Sequence, residues 1–255
     1  MRFASLGSGS EGNGLVVHAG KTCLLLDCGF GLADTVRRLE RLGLAPAHIS
    51  GIVVTHEHDD HVGGVARFAR KYEIPVYLTH GTLTAVGLSR FVKVEVNIID
   101  SHTALALDDI ELRPFPVPHD AREPAQFVFS DGNRALGVLT DTGVSTSHIE
   151  AMLSVVNALV LECNHDRDLL MNSAYPYSLK QRIAGRLGHL DNATAAKLLG
   201  ALPHRQLQHV VAAHLSRQNN TPALAQAALA GVLGCEASWI GVATQDEGLA
   251  WREIN

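Results

Sequence analysis

The 255-residue sequence has few cysteines, few aromatic residues and no excess of basic charge. Its four cysteines form no Cys-x-x-Cys pair, so neither a zinc ribbon nor a redox motif is indicated, and free buried thiols are expected. The net charge of −5 argues against a broadly basic nucleic-acid surface, although a local basic patch stays open. No apolar run approaches the roughly 20 residues of a membrane span, and the N-terminus has no apolar signal segment. We therefore expect a cytoplasmic protein with no membrane partner.

Apolar runs recur along the chain and are separated by glycine and polar turns, which is typical of an α/β protein. Strands are predicted over 15–18, 23–26, 52–55, 76–78, 92–99, 111–117, 126–129, 135–140, 158–162, 209–213, 238–242 and 248–251. Helices are predicted over 32–42, 62–72, 147–153, 179–187, 192–201 and 222–233. This order predicts one domain over 1–255, a four-layer αββα sandwich of two mixed sheets with helices outside. Two similar halves would meet near residue 115.

Histidine is abundant, with 14 residues, and three of them fall in the segment Thr55-His56-Glu57-His58-Asp59-Asp60-His61. Alternate residues of an extended segment point the same way, so His56 and His58 are expected to bind one ion together. Asp60 and His61 lie where the chain turns into a helix and are expected to face a second ion. Imidazole and carboxylate ligands suit zinc, manganese or iron. The alternative is a polar surface loop that is rich in histidine by chance.

Further ligands must come from elsewhere in the chain. His119, Asp141 and His214 each follow a predicted strand, and functional residues are commonly carried at strand ends above a rigid sheet. These three residues are therefore the candidates that complete the metal site.

The chain resembles the metallo-β-lactamase superfamily, whose His-x-His-x-Asp-His signature matches residues 56–61. The resemblance covers nearly the whole chain and implies two metal ions. It implies a first ion on His56, His58 and His119, a second on Asp60, His61 and His214, and Asp141 as a bridge between them. It also implies that Asp27 orients the ligand loop through hydrogen bonds.

Two further residues resemble the ribonuclease Z-like branch of that superfamily, in which a Glu after a strand pairs with a His in a Gly-His-Ser/Thr turn. Glu162 and His189 match these positions, although the turn here reads Gly-His-Leu-Asp-Asn. The resemblance implies that His189 donates a proton to the leaving group. Asp60, Glu162 and His189 are accordingly the expected catalytic residues.

Four segments together look like the YycJ/WalJ group of bacterial proteins, which is linked to exonuclease activity on DNA. They are residues 5–13, 162–166, 188–192 and 213–220. The expected function is a dinuclear metal-dependent hydrolase, a phosphodiesterase or nuclease that uses a metal-bridging hydroxide. A thioester hydrolase of the glyoxalase II type shares the same ligands and is one alternative. A metal-binding regulatory protein with little activity is the other.

The glycine-rich turn near the N-terminus is a candidate phosphate site, because backbone N–H groups and hydroxyls concentrate there. Ser8, Ser10 and Asn13 are the expected substrate contacts. The alternative is a flexible hairpin turn.

A local basic rim is the candidate contact for a nucleic-acid backbone. Arg182 and Arg186 are spaced one helical turn apart in the predicted helix 179–187, and Lys180 and Arg217 would add to them. An ordinary solvated helix face is the alternative. Tyr175 and Tyr177 are candidates for stacking on a base or for packing, and the role of His165 stays open.

Overall fold

A computed structural model describes residues 1–255. The strands are β1 (Arg2–Gly7), β2 (Gly14–Ala19), β3 (Thr22–Leu26), β4 (Gly51–Val53), β5 (Val76–Thr79), β6 (Val96–Ile99), β7 (Leu105–Leu107), β8 (Ile110–Pro116), β9 (Ala125–Ser130), β10 (Ala135–Leu139), β11 (Ala158–Glu162), β12 (His209–Ala213), β13 (Gly241–Val242) and β14 (Leu249–Glu253). The helices are α1 (Leu32–Arg41), α2 (Asp59–Val62), α3 (Val65–Tyr72), α4 (His80–Val86), α5 (Ser147–Leu153), α6 (Arg167–Asn172), α7 (Tyr177–Ile183), α8 (Asn192–Ala201) and α9 (Pro222–Leu233). None of these helices combines the length and the apolarity that crossing a bilayer requires.

The strands form two seven-stranded sheets of matching design. The first has the order β14-β1-β2-β3-β4-β5-β6 and the second the order β13-β12-β11-β10-β9-β8-β7. In the first sheet, the pairs from β14 to β3 are antiparallel and those from β3 to β6 are parallel. In the second, the pairs from β7 to β10 are antiparallel and those from β10 to β13 are parallel. The parallel strands bring their carboxyl ends to one edge of each sheet.

Three apolar layers hold the sandwich together. The middle one lies between the sheets and includes Phe3, Phe127 and Phe129, all fully buried. One outer layer packs α1 and α3 on the first sheet, and the other packs α5, α8 and α9 on the second. Strands buried on both faces read as continuous apolar runs, as in the β3 sequence Thr-Cys-Leu-Leu-Leu. The predicted four-layer αββα sandwich is confirmed.

Several helices begin where a side chain caps the first turn. Thr146, Asp191 and Thr221 accept hydrogen bonds from the backbone N–H groups that open α5, α8 and α9. Asp166 caps α6 in the same way. These caps fix the connections that run over the carboxyl edge of the second sheet.

The structure corrects some of the predicted boundaries. The predicted helix 62–72 is two helices, α2 and α3, separated at Gly63-Gly64. A side chain at Gly64 would lie 2.0 Å from the carbonyl oxygen of Phe30, so this close backbone approach requires glycine. The predicted strand 92–99 begins only at Val96, and the predicted helix 179–187 is α7 and ends at Ile183. The chain passes from the first sheet to the second between Ile99 and Leu105, not near residue 115.

Candidate metal centre

The histidine and aspartate side chains meet above the carboxyl ends of the central strands. Asp27 follows β3, Asp141 lies two residues after β10, and His214 follows β12. These three residues have positive φ angles of 60°, 50° and 56°, in the left-handed region that non-glycine residues rarely adopt. Such strain persists only where surrounding contacts enforce it, and it is concentrated at functional sites.

The first ligand set consists of three imidazoles. His56 Nε2 lies 3.0 Å from His58 Nδ1, and His119 Nε2 lies 3.3 Å from the same His58 atom. The other ring nitrogen of His119 faces the Gly188 carbonyl oxygen at 3.2 Å, which leaves Nε2 free toward the set. Burial lowers the pKa of His56 well below its usual value, and neighbouring histidines add to this effect. A neutral imidazole is the form that binds a metal ion.

The second ligand set consists of Asp60, His61 and His214. Asp60 Oδ2 lies 3.4 Å from His61 Nε2 and 3.5 Å from His214 Nε2. Asp141 lies between the two sets, because one of its oxygens is 3.1 Å from His61 Nε2 and its ligand atoms also group with His56. That oxygen, Oδ2, is buried, and no donor, His61 included, reaches it in good hydrogen-bonding geometry. A cation would satisfy it, so these donors fit a divalent metal site.

Carboxylates dominate the electrostatics around the second ligand set. Burial opposes a proton on His61, but the carboxylates of Asp141, Asp27 and Asp60 outweigh it and raise the pKa of His61 well above its usual value. Likewise burial opposes a proton on His214, yet Asp141 and other carboxylates raise the pKa of His214 to about 10. The carboxylates therefore favour the protonated forms of His61 and His214, and metal binding would displace those protons.

Asp27 orients this loop from behind. Its Oδ2 is 2.8 Å from His61 Nδ1, so the opposite ring nitrogen points to the ligand set. The same carboxylate accepts hydrogen bonds from the backbone N–H and the hydroxyl of Thr55, each at 2.9 Å. Contacts of this kind fix the tautomer and the orientation of a ligating histidine.

Glu162 and His189 form a pair beside the ligand sets. Glu162 is fully buried at the end of β11, and its Oε1 is 2.8 Å from His189 Nδ1. Burial works against its ionisation, but His189 and His214 outweigh this and lower the pKa of Glu162 to about 2. In return, Glu162 overcomes the effect of burial and raises the pKa of His189. The His189 side chain is 22% exposed and faces the open cleft.

This cleft has a volume of about 390 Å³ and opens directly over the metal centre. α7 and the residues before it contribute Tyr175 and Arg182 to its wall, and Ser10 and Ser216 also line it. Arg182 is the only lysine or arginine among the lining residues. Asp120 also lines the cleft, and the sequence reasoning missed it. The available signal was its position directly after His119.

The glycine-rich turn packs mainly against the ligand loops. Only Ser10 is exposed toward the cleft, whereas Ser8 and Asn13 are buried. The Ser8 hydroxyl accepts a hydrogen bond from the backbone N–H of His214 at 2.9 Å, and the Asn13 amide contacts Asp60 and His61. These two side chains support the ligand loops, and neither lines the cleft. The turn itself is held in place rather than flexible.

Most of the basic residues expected at the rim are bonded to other protein groups or lie outside the cleft. Lys180 donates to two backbone carbonyls at the end of α6, and Arg217 forms ion pairs with Glu11 and Asp246. Arg186 lies beyond the end of α7 and outside the cleft, so it does not share a helix face with Arg182.

The remaining candidates, two tyrosines and a histidine, differ in whether they line the cleft. Tyr175 lines the cleft, whereas Tyr177 is 75% exposed and lies outside it. His165 is buried next to Asn164 and belongs to neither ligand set. Its lowered pKa follows from burial. Tyr175 is therefore the only aromatic side chain of this group that is placed to meet a substrate.

The fold and the metal centre define a class of protein. A sequence model described as "Beta-lactamase superfamily domain" matches residues 22–214, and the chain belongs to the metallo-β-lactamase superfamily. It is 36% identical to exodeoxyribonuclease YycJ of Bacillus anthracis over 235 residues. This match covers 91% of this chain and 89% of that protein. It is 30% identical over 245 residues to exodeoxyribonuclease WalJ of Streptococcus pneumoniae, with 94% and 91% covered. The crystal structure of the metallo-β-lactamase fold protein YhfI from Bacillus subtilis superposes with a TM-score of 0.74 at 14% identity, covering 98% of both chains.

Proposed function

We propose that this protein is a dinuclear metal-dependent phosphodiesterase that acts as an exonuclease on DNA. The observation that carries the proposal is the pair of ligand sets around Asp141, whose buried carboxylate lies between them. The similarity over most of the chain to two proteins named exodeoxyribonucleases supports DNA as the substrate. Zinc, manganese and iron all suit this donor set.

Metal ions bound here would supply a water of lowered pKa as nucleophile and positive charge to stabilise the attacked phosphate. The side chains of the protein perform the other tasks. His56, His58 and His119 would hold the first ion, whereas Asp60, His61 and His214 would hold the second. Asp60 thus serves the reaction as a ligand, while Asn13 orients its carboxylate through an amide contact of 3.2 Å.

His189 is the proton donor in this proposal. Its Nδ1 is fixed by Glu162, so Nε2 is the atom directed to the cleft, where the leaving oxygen of a cleaved strand needs a proton. Glu162 favours the protonated form of this imidazole, because its carboxylate raises the pKa of His189. Arg182 contacts the nucleic-acid backbone, and Tyr175 stands at the cleft wall where a base would stack.

A substrate panel tests the function. Metal-loaded protein is assayed on bis-p-nitrophenyl phosphate, on single- and double-stranded DNA and RNA, and on S-lactoylglutathione. We expect hydrolysis of the phosphodiesters, with mononucleotides released from DNA ends. The Asp141→Asn variant should lose this activity, whereas Asp100→Asn, at an exposed loop, should keep it. Cleavage of the thioester alone would overturn the proposal in favour of the glyoxalase II type, and inactivity on every substrate would favour a regulatory protein.

A further inference from the structure

Asp120 joins the first ligand set to the wall of the cleft. Its Oδ1 lies 3.5 Å from His119 Nε2 and 3.8 Å from His58 Nε2. Its Oδ2 accepts a hydrogen bond of 2.7 Å from Nε of Arg182 on α7. The backbone of Asp120 is itself fixed, because its N–H donates to the Leu187 carbonyl oxygen at 3.0 Å. One rigidly held carboxylate therefore lies against both the metal centre and the Arg182 side chain of α7.

The helix that carries Arg182 lies at the surface, and at its end the Ile183 carbonyl oxygen accepts a hydrogen bond from the backbone N–H of His189. No residue of α7 is buried. The Lys180 ammonium binds carbonyls within the preceding segment, and the Arg182–Asp120 bond is the side-chain hydrogen bond that ties α7 to the metal-ligand loops. The Arg182 side chain is 64% exposed, and exposed ion pairs contribute little to stability. The effect of this pair is thus on position more than on folding.

The geometry leaves most of the guanidinium available. An arginine side chain has five N–H donors in a planar fork, and Asp120 takes the one on Nε. The four on the two terminal nitrogens suit a phosphate, which such a fork binds through paired hydrogen bonds. No second cation lines the cleft, whose other charged residues are carboxylates and the histidines of the site. The cleft thus offers one phosphate subsite besides the metal centre.

We propose that Asp120 is a positioning residue that holds Arg182 so that its terminal N–H groups bind the backbone phosphate next to the scissile one. The inference rests on the proposed phosphodiesterase function and specifies how that site engages its substrate. A single phosphate subsite fits a strand held by its end rather than along its length.

The test compares Asp120→Ala, Arg182→Ala and the double variant with the wild type. KM and kcat are measured on a single-stranded oligonucleotide, and metal per chain by elemental analysis. Kd is measured by fluorescence anisotropy with an oligonucleotide of phosphorothioate linkages. Each single variant should raise KM and Kd about tenfold, as expected for losing one charged hydrogen bond, while kcat changes by less than about threefold. The double variant should be no weaker than Arg182→Ala alone, because Asp120 acts through Arg182.

Two controls separate this role from a structural one. Asp120→Asn keeps a neutral acceptor and should lie between the wild type and Asp120→Ala. Arg205→Ala removes an exposed cation before β12, at the end remote from the site, and should leave KM and Kd unchanged. Loss of metal in Asp120→Ala, a fall in kcat at constant KM, or additive effects in the double variant would overturn the inference. If the wild type cleaves no phosphodiester, the proposed function fails first and the inference fails with it.

Discussion

Replacing His189 by alanine removes the proposed proton donor and leaves all seven candidate ligands in place. General acid catalysis typically contributes 10²–10⁴-fold, so kcat on DNA should fall by about this factor, or about 3–5 kcal/mol of barrier. The structure supports the full effect, because His189 Nδ1 is held at 2.8 Å by Glu162 and the ring faces the cleft. The other histidines that line the cleft, His58 and His214, belong to the ligand sets, and the acidic residues there are carboxylates.

The chemistry of the leaving group makes this prediction specific. The oxygen leaving from a DNA strand needs a proton, whereas p-nitrophenolate leaves readily without one. The variant should therefore lose much more activity on DNA than on bis-p-nitrophenyl phosphate. Both rates are measured with metal-loaded protein, and metal per chain is determined in the same samples. His148→Ala, which removes an exposed histidine of α5, is the matched control and should behave as the wild type.

Two outcomes would refute the reasoning. An equal loss on both substrates would mean that His189 does not protonate the leaving group. Loss of metal from the variant would mean that His189 is a ligand, an arrangement that its grouping with Asp141, Glu162 and His214 also permits.

Three further predictions follow from the same geometry. Glu162→Gln should shift the alkaline limb of the kcat–pH profile to lower pH, because Glu162 raises the pKa of His189 and activity is lost as the pH rises through that pKa; an unmoved limb would contradict the pairing. Asp27→Asn should weaken metal binding about 10–100-fold in chelator competition, since His61 loses its orienting carboxylate; an unchanged affinity would exclude that role. Burial raises the pKa of Cys23 to about 11 and that of Cys28 to about 12, and also raises the pKa of buried Cys163, so these thiols stay protonated at pH 8. A thiol reagent should then label at most Cys235 rapidly in the native protein and all four cysteines after unfolding, and rapid labelling of more than one would contradict this burial.

Much of the fold could be predicted because it depends on local apolar patterns. The strands over 158–162 and 209–213 and the helices over 147–153 and 222–233 have the predicted bounds. The strand β1 was missed because its short run, Arg2–Gly7, leads into a glycine-rich turn, and its strand character comes from pairing with β2 and β14 on either side. Such non-local pairing leaves no periodic signal in the sequence.

In the candidate site, the metal ligands could be predicted from the sequence more readily than the substrate contacts. The ligands could be named because histidine and aspartate stand at strand ends in a dense, ordered pattern. The substrate contacts were harder, because whether a polar side chain faces a cleft or supports a loop depends on packing between distant segments. Ser8 illustrates this, since its hydroxyl receives the N–H of His214, a residue more than 200 positions away. Asp120 likewise depends on a contact with Arg182, 62 positions away, which no local pattern indicates.

The most direct test of the dinuclear site is a metal titration of chelator-treated protein, with bound ions and hydrolysis of single-stranded DNA measured in the same samples. We expect no activity without metal and a plateau at two ions per chain. Hydrolysis at full rate by metal-free protein, or a plateau at one ion, would contradict the assignment.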